Sequence, residues 1–248
     1  MVDDNKLTVR AVERALDILL CFTDASDLSL TEISGRVGLH KSTVHRLIAS
    51  LESKGFLVRH AETDKFRLGL RIWELAAGMS QTDDPAVLLL PEMERLRDIV
   101  GETVSLYVRD GLERIRIQAV QSNQAIRRVA RVGVRLPLYV GASSKILVAF
   151  ADPETLEELK NSEDWPNGPE RERFLEQIRE ARRLGYATSI EEREEGAAAI
   201  AAPIFNRSHK LVAALAVSGP ANRLTMEQMK QDAPIIVEAA NRMGKMIR

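Results

Sequence analysis

The stretch LHKSTVHRLIASLESKGFLVRH, residues 39–60, gathers three of the chain's four histidines among lysines, arginines and short hydroxyl residues. Val44, Leu47, Ile48 and Leu51 recur at i, i+3, i+4, i+7, the stripe of a helix with one buried side. The opposite side displays Lys41, Ser42, Thr43, His45, Arg46, Ala49 and Ser50. That face suits a DNA major groove: lysine and arginine neutralise phosphates or donate to guanine, and hydroxyls bond phosphates or base edges. Lys41, Ser42, Thr43, His45 and Arg46 stand near the N-terminal end, which a recognition helix points at the bases. His40 and His45 are five apart with no third ligand nearby, a poor spacing for a metal site.

A second stretch, GASSK at 141–145, opens a further predicted helix. Helix N-termini expose unpaired N–H groups with partial positive charge and attract anions. Ala142, Ser143 and Ser144 therefore mark a candidate carboxylate site, to which the hydroxyls add donors. A serine-lysine nucleophile is the enzymatic alternative, but adjacent helical residues point about 100° apart, so Ser144 and Lys145 would not meet. No catalytic residue, cofactor or metal is expected.

The flanking elements position the first stretch. Val12, Leu16, Leu19 and Leu20 mark an amphipathic first helix. Ser29 and Glu32 form a capping box for a second helix that turns Leu30, Ile33 and Val37 inward, and Gly38 supplies the turn. After Gly55, Phe56–Val58 and Phe66–Leu68 read as a hairpin across Thr63 and Asp64, with Arg59 and Lys65 placed for phosphates. Helix, helix, turn, helix, hairpin predicts a winged helix-turn-helix over residues 1–69. From Arg36 to Arg67 seven Lys/Arg face Glu52, Glu62 and Asp64, a local surplus in a chain of net charge -1. DNA binding by a uniformly basic coat is excluded.

Residues 70–84 read as a linker helix ending at QTDDP, and Pro85 starts another helix through Val100. TVSLYVRD and RIRIQAVQS then alternate as a strand pair around Asp110-Gly111. A charged helical stretch from Asp152 to Leu184 precedes strands near Ala197–Ala202 and Leu211–Ser218 and a closing helix from Thr225. This predicts an α+β second domain, residues 85–248, built on an antiparallel sheet. The single Cys21 allows no internal disulfide, MVDDNKLTVR lacks the apolar core of a secretory signal, and no stretch approaches the ~18 apolar residues of a membrane span. A cytoplasmic protein is expected.

SLTEISGRVGLHKSTVHRLIASLESKGFLVR resembles the DNA-binding domain of the IclR-type bacterial transcription regulators. RLPLYVGASSKILVAF and GAAAIAAPIFNRSHKLVAALAVSGPANRLT resemble later segments of the same family, so the likeness runs from about Leu7 to the last helix. The resemblance implies a winged helix, a linker helix and an effector domain similar to GAF and PAS sensors. It further implies a homodimer or a dimer of dimers that binds pseudo-palindromic operators near catabolic genes, with a small organic acid as effector. Repression is the commoner role and activation or dual control the alternative. By family position Arg128, Ser189, Ala216 and Ser218 join Ala142, Ser143 and Ser144 in the effector site. The chain departs from the family at Tyr139, Val140 and Gly141, where many members have histidine-alanine-threonine. It also departs at Ser144 in place of glycine, at Ser189 in place of a common aspartate, and near Ala199, where some members carry cysteine. These changes leave the acid unnamed. Between Arg109 and Arg135 seven arginines face only Asp110 and Glu113, and for most of them a solvated or inter-subunit face is the plain reading. A DNA-architectural protein with a purely assembling second domain is the remaining alternative, and would show a filled, dry core behind Ser143.

Overall fold

Ser29 caps the second helix as its spacing predicts: its hydroxyl accepts from the Glu32 amide, and the Glu32 carboxylate accepts from the Ser29 N–H at 2.8 Å. The computed structural model describes residues 8–79, 84–163 and 165–247, and divides into two units, 1–82 and 83–248.

The first unit contains α1 (Arg10–Leu20), α2 (Leu30–Val37), α3 (Lys41–Ser53), β1 (Leu57–Arg59), β2 (Phe66–Leu68) and α4 (Leu70–Met79). Gly38 leaves α2 with φ 64°, a left-handed conformation that glycine adopts without strain. The core joins Ile18, Phe22, Leu28, Ile33, Val44, Ile48, Leu51, Leu57 and Phe66, and Leu47 packs at its margin. The β1–β2 wing pairs antiparallel, one residue later on its first strand than the sequence predicts. Two apolar stripes run along α1. Ile18 faces the core, whereas Val12, Leu16 and Leu20 of the predicted stripe lie exposed with Val9. Leu70, Trp73 and Leu75 of α4 are exposed too. Residues 80–83 of the predicted linker helix lie outside the described residues.

In the second unit the predicted helix 85–100 is broken at Leu89 into α5 (Pro85–Leu88) and α6 (Leu90–Val100), where Pro91 starts the new helix. Then come β3 (Thr103–Asp110), β4 (Glu113–Val120), β5 (Arg135–Pro137), α7 (Ala142–Ala149), α8 (Pro153–Lys160), α9 (Pro169–Leu184), β6 (Ala187–Ile190), β7 (Ala197–Phe205), β8 (Leu211–Pro220) and α10 (Met226–Met246). The short strands β5 and β6 have no counterpart in the sequence reading, and the charged stretch 152–184 is two helices. All six strands pair antiparallel in the order β5-β4-β3-β8-β7-β6.

Strand alternation divides the interior into two cores. Val104, Leu106, Ile200, Ala202, Ile204, Leu215 and Val217 pack with Met93, Leu96, Ile236, Ala239 and Met243 of α6 and α10. The other face carries Tyr107, Ala201, Ala214 and Ala216 against Ile146, Leu147, Phe174 and Ile178 of α7 and α9. Alanines on β7 and β8 let α7 sit close to the sheet, and all eight of its residues are buried. Among the described residues no helix is long and apolar enough to cross a membrane.

Candidate functional site

The α3 N-terminus is capped by His40, whose Nδ1 lies 2.9 Å from Ser42 Oγ and accepts from the Ser42 amide. Lys41, Ser42, His45 and Arg46 are exposed on one face and Thr43 is half-buried, while Val44 and Ile48 face the core. Among the described residues none of Lys41, His45 and Arg46 forms an ion pair, so all three present free donors. Arg59, read as a phosphate contact, is half-exposed and carries an ion pair of its own. It pairs with Asp64 at 2.6 Å across the wing and lies over the Phe66 ring. Asp64 sits at the tip with φ 59°, where its side chain turns back onto Arg59. Lys65 is half-buried beside it.

In the second unit, a cavity of about 50 Å³ opens where the N-terminus of α7 meets β7 and β8. Arg128, Ala142, Ser143, Ser189, Ala216 and Ser218 all line it. Sequence alternation alone left open which face of β8 meets the pocket, and the pairing decides it. Ala216 and Ser218 sit opposite Ser105 and Thr103 of β3, turned toward α7. Ser144 does not join them. Its Oγ donates to Val140 O (2.8 Å) and Pro137 O (3.0 Å) and accepts from Arg114, so the residue is wholly buried away from the cavity. Lys145 in turn donates from Nζ to Thr188 O and Glu192. The two side chains of the supposed nucleophile pair thus have separate partners.

Two buried arginines escaped the sequence reading as site residues: Arg114, which lines the cavity, and Arg116, which lies just outside it. Arg114 and Arg116 are 3% and 5% exposed, more buried than Ile115 and Ile117 between and beside them. A β-bulge explains the inversion. Leu106 pairs with Gln118 and Tyr107 with Arg116, which leaves Ile117 as the extra residue. Gln118 and Val120 therefore share the face of Leu106, and Arg116 and Arg114 turn to the face of Tyr107 and the cavity. The solvated or inter-subunit face read for most arginines in 109–135 does not extend to these two, while Arg109, Arg127, Arg131 and Arg135 are exposed. Arg116 donates to Tyr107 Oη from Nε (2.9 Å) and Nη2 (2.5 Å) and to Arg131 O. Arg114 donates to Pro137 O, Val140 O and Ser144 Oγ, and its Nε has no partner. It meets no carboxylate among the described residues, and burial pushes its pKa down to about 10. Gly141 must approach it closely: with φ 92°, a Cβ there would lie 3.2 Å from Arg114 Nη2.

The turn EEREEG, 191–196, closes the cavity. Glu192 accepts from the Gly141 N–H at 3.1 Å and from Lys145 Nζ at 2.5 Å, so an internal carboxylate already occupies the α7 N-terminus. Glu194 pairs with Arg128 at 2.6 Å and with Arg193 at 2.7 Å. The hydrogen bond from Arg128 holds the Glu194 carboxyl below its ordinary range, and burial lowers Lys145 and Arg193. Five cations, Arg114, Arg116, Arg128, Lys145 and Arg193, thus surround two carboxylates. A third-position signal for the acidic half existed in the sequence, since EEREEG immediately precedes β7, but nothing local connects it with a helix fifty residues upstream.

The family description "Bacterial transcriptional regulator IclR C-terminal" matches residues 86–244, and "IclR helix-turn-helix domain" matches residues 11–61. The chain belongs to the IclR family. It is 31% identical to the HTH-type transcriptional regulator KipR of Bacillus subtilis over 96% of this chain and 97% of that protein. It is 28% identical to the HTH-type transcriptional repressor AllR of Escherichia coli K12 over 93% and 88%. An IclR homolog from Microbacterium hydrocarbonoxydans, solved in complex with 4-hydroxybenzoate, superposes with TM-score 0.82 at 29% identity, over 95% of this chain and 98% of that one. As an IclR-family member the chain is a DNA-binding transcriptional regulator, and its winged first unit and antiparallel α+β second unit carry that family's architecture.

Proposed function

We propose that this regulator acts in the cytoplasm as a repressor of catabolic genes whose grip on its operator changes when a small carboxylate occupies the cavity at the N-terminus of α7. The observation that carries the reading is Arg114. A guanidinium this deeply buried is costly without a counter-charge, and the cavity sets Arg114, Arg128 and Arg193 against only Glu192 and Glu194, which are already paired, Glu192 with Lys145 and Glu194 with Arg128 and Arg193. A ligand anion supplies the missing charge. Arg128, Ala142, Ser143, Ser189, Ala216 and Ser218 are assigned to the same site, Ser143 as a hydroxyl donor and the alanines as room for the ligand. The half-polar lining disfavours the purely architectural alternative. The relative crystallised with 4-hydroxybenzoate supports an acid effector, and the repressor AllR supports repression.

On the DNA side, Lys41, Ser42, Thr43, His45 and Arg46 read the major groove, and Arg59 and Lys65 contact phosphates. We assign the exposed apolar face of α1, Val9, Val12, Leu16 and Leu20, to a second copy of the chain, because two half-sites require two recognition helices. An isolated chain leaving such a stripe in water is the pattern of an interface. Thermal unfolding against aromatic, keto and sugar acids, paired with operator retention in a gel, tests the reading. One acid class must raise the melting temperature and alter retention. If no acid does either, the effector assignment fails.

A further inference from the structure

The cavity is too small for the whole of a typical effector. Its volume of about 50 Å³ accommodates little more than an anionic head group, where small-molecule sites usually measure roughly 300–1,000 Å³. The rest of the ligand must lie outside. Two grooves adjoin it. One, of about 360 Å³, shares Glu192 and Arg193 with the cavity and includes Pro137, Tyr139 and Phe174, and its Glu170 and Glu192 balance Arg173 and Arg193. The other, of about 520 Å³, shares Arg128, Arg193 and Glu194 with the cavity and adds Arg116, Arg127 and Arg131.

The second groove is far from balanced. Five guanidinium groups line it against the single carboxylate of Glu194. Arg116 is nine-tenths buried and, like Arg127 and Arg131, pairs with no carboxylate among the described residues. Among the described residues Arg127 reaches Gln124 O and, weakly, the Gln121 side chain. Thr103 holds the segment in place by donating to Arg128 O at 2.9 Å, and Arg116 does the same through Arg131 O. With Arg128 and Arg193 paired to Glu194, Arg116, Arg127 and Arg131 are left without a carboxylate among the described residues, a surplus that suits an anion.

We infer that the cavity and the arginine groove form one continuous site for a ligand with two anionic groups, one seated at Arg114 in the cavity and the second at Arg127 and Arg131 in the groove. Glu194, between Arg128 and Arg193, stands where the ligand crosses from one to the other and yields its arginines to it. The inference rests on the carboxylate reading above and narrows it to dicarboxylates and phosphorylated acids. A monoacid with an apolar body would turn instead into the balanced groove beside Tyr139 and Phe174.

Matched probes test this in the full chain: butyrate against succinate, benzoate against phthalate, and glycolate against phosphoglycolate, at equal ionic strength, by thermal unfolding and titration calorimetry. At least one dianion must bind roughly tenfold tighter than its monoacid, the gain of two partly exposed charge contacts. Arg127→Ala/Arg131→Ala, both at exposed positions, must abolish that advantage and leave monoacid binding unchanged. Monoacids that bind as well as dianions, with the double variant altering neither, overturn the inference and leave the carboxylate reading intact. Silence from every acid overturns both. Inorganic phosphate protecting as well as the dianions, undiminished in Arg114→Met, reduces the groove to an unselective anion patch. A double variant that weakens duplex DNA binding and spares the acids gives the groove to DNA.

Discussion

Replacing Arg114 by methionine separates the cost of a buried charge from its use. Burial lowers the guanidinium from its ordinary value to about 10, a strain of about 3 kcal/mol in the ligand-free protein. Methionine relieves that strain and loses the contacts of Nη1, whose two protons serve Pro137 O, Val140 O and Ser144 Oγ, with a net value of about 1 kcal/mol for each proton. The single Ser144 hydroxyl proton remains to be shared between the two carbonyls. The two effects nearly cancel, so the variant's melting temperature should stay within roughly 5 °C of the parent, at about 2–4 °C per kcal/mol for a unit of this size. Ligand response should not survive. An acid at 100 times its dissociation constant adds about 2.7 kcal/mol to the parent, and losing a buried charge partner costs about 2–5 kcal/mol of binding. For a hundredfold loss, the same acid concentration then stabilises the variant by only about 0.4 kcal/mol, or about 1 °C. Thermal unfolding with and without the best-responding acid reads both quantities. A fall of more than about 10 °C without ligand would make Arg114 a strut instead of an anion seat. An undiminished acid shift would refute the charge argument outright.

Arg46→Ala should weaken operator binding by about 1–3 kcal/mol and relax preference at one base pair, whereas Arg59→Ala should lower affinity evenly and reduce the salt slope by about one; both are read by titration across salt concentrations. Lys145→Met should cost about 3–5 kcal/mol by stranding Glu192, and Lys145→Met/Glu192→Leu should recover most of the loss in a double-mutant cycle. Glu32 is held below its ordinary pKa by the Ser29 N–H, so its contribution is present above the unfolded value and disappears as pH falls through the folded one. The melting-temperature gap between the parent and Glu32→Gln should therefore close in acid, and a gap that persists there would place the effect elsewhere. Leu16→Glu should shift the sedimentation profile toward monomer and reduce operator affinity without unfolding the wing.

The sequence by itself determined what depends on neighbours along the chain. The Ser29–Glu32 capping box, the turn at Gly38, the stripe Val44, Leu47, Ile48 and Leu51, and the resulting exposed face at Lys41 to Arg46 involve contacts within a few residues, where spacing fixes geometry. The alternation of Ala214, Ala216 and Ser218 was equally legible as a pair of faces. Which face met the cavity was settled only by pairing with Thr103 and Ser105. The same is true of the charges. RIRIQAV reads as arginines on one side and isoleucines on the other, and the bulge at Ile117 then reverses which side is buried. A one-residue slip flips every side chain beyond it, and its position is set by the partner strand. The two stripes of α1 are likewise indistinguishable by period, since helical spacing says that residues share a face and not what covers it. Tertiary structure alone brought EEREEG onto the α7 N-terminus and gathered Arg114, Arg128 and Arg193 around one small cavity, because burial and charge balance are properties of groups far apart in the chain.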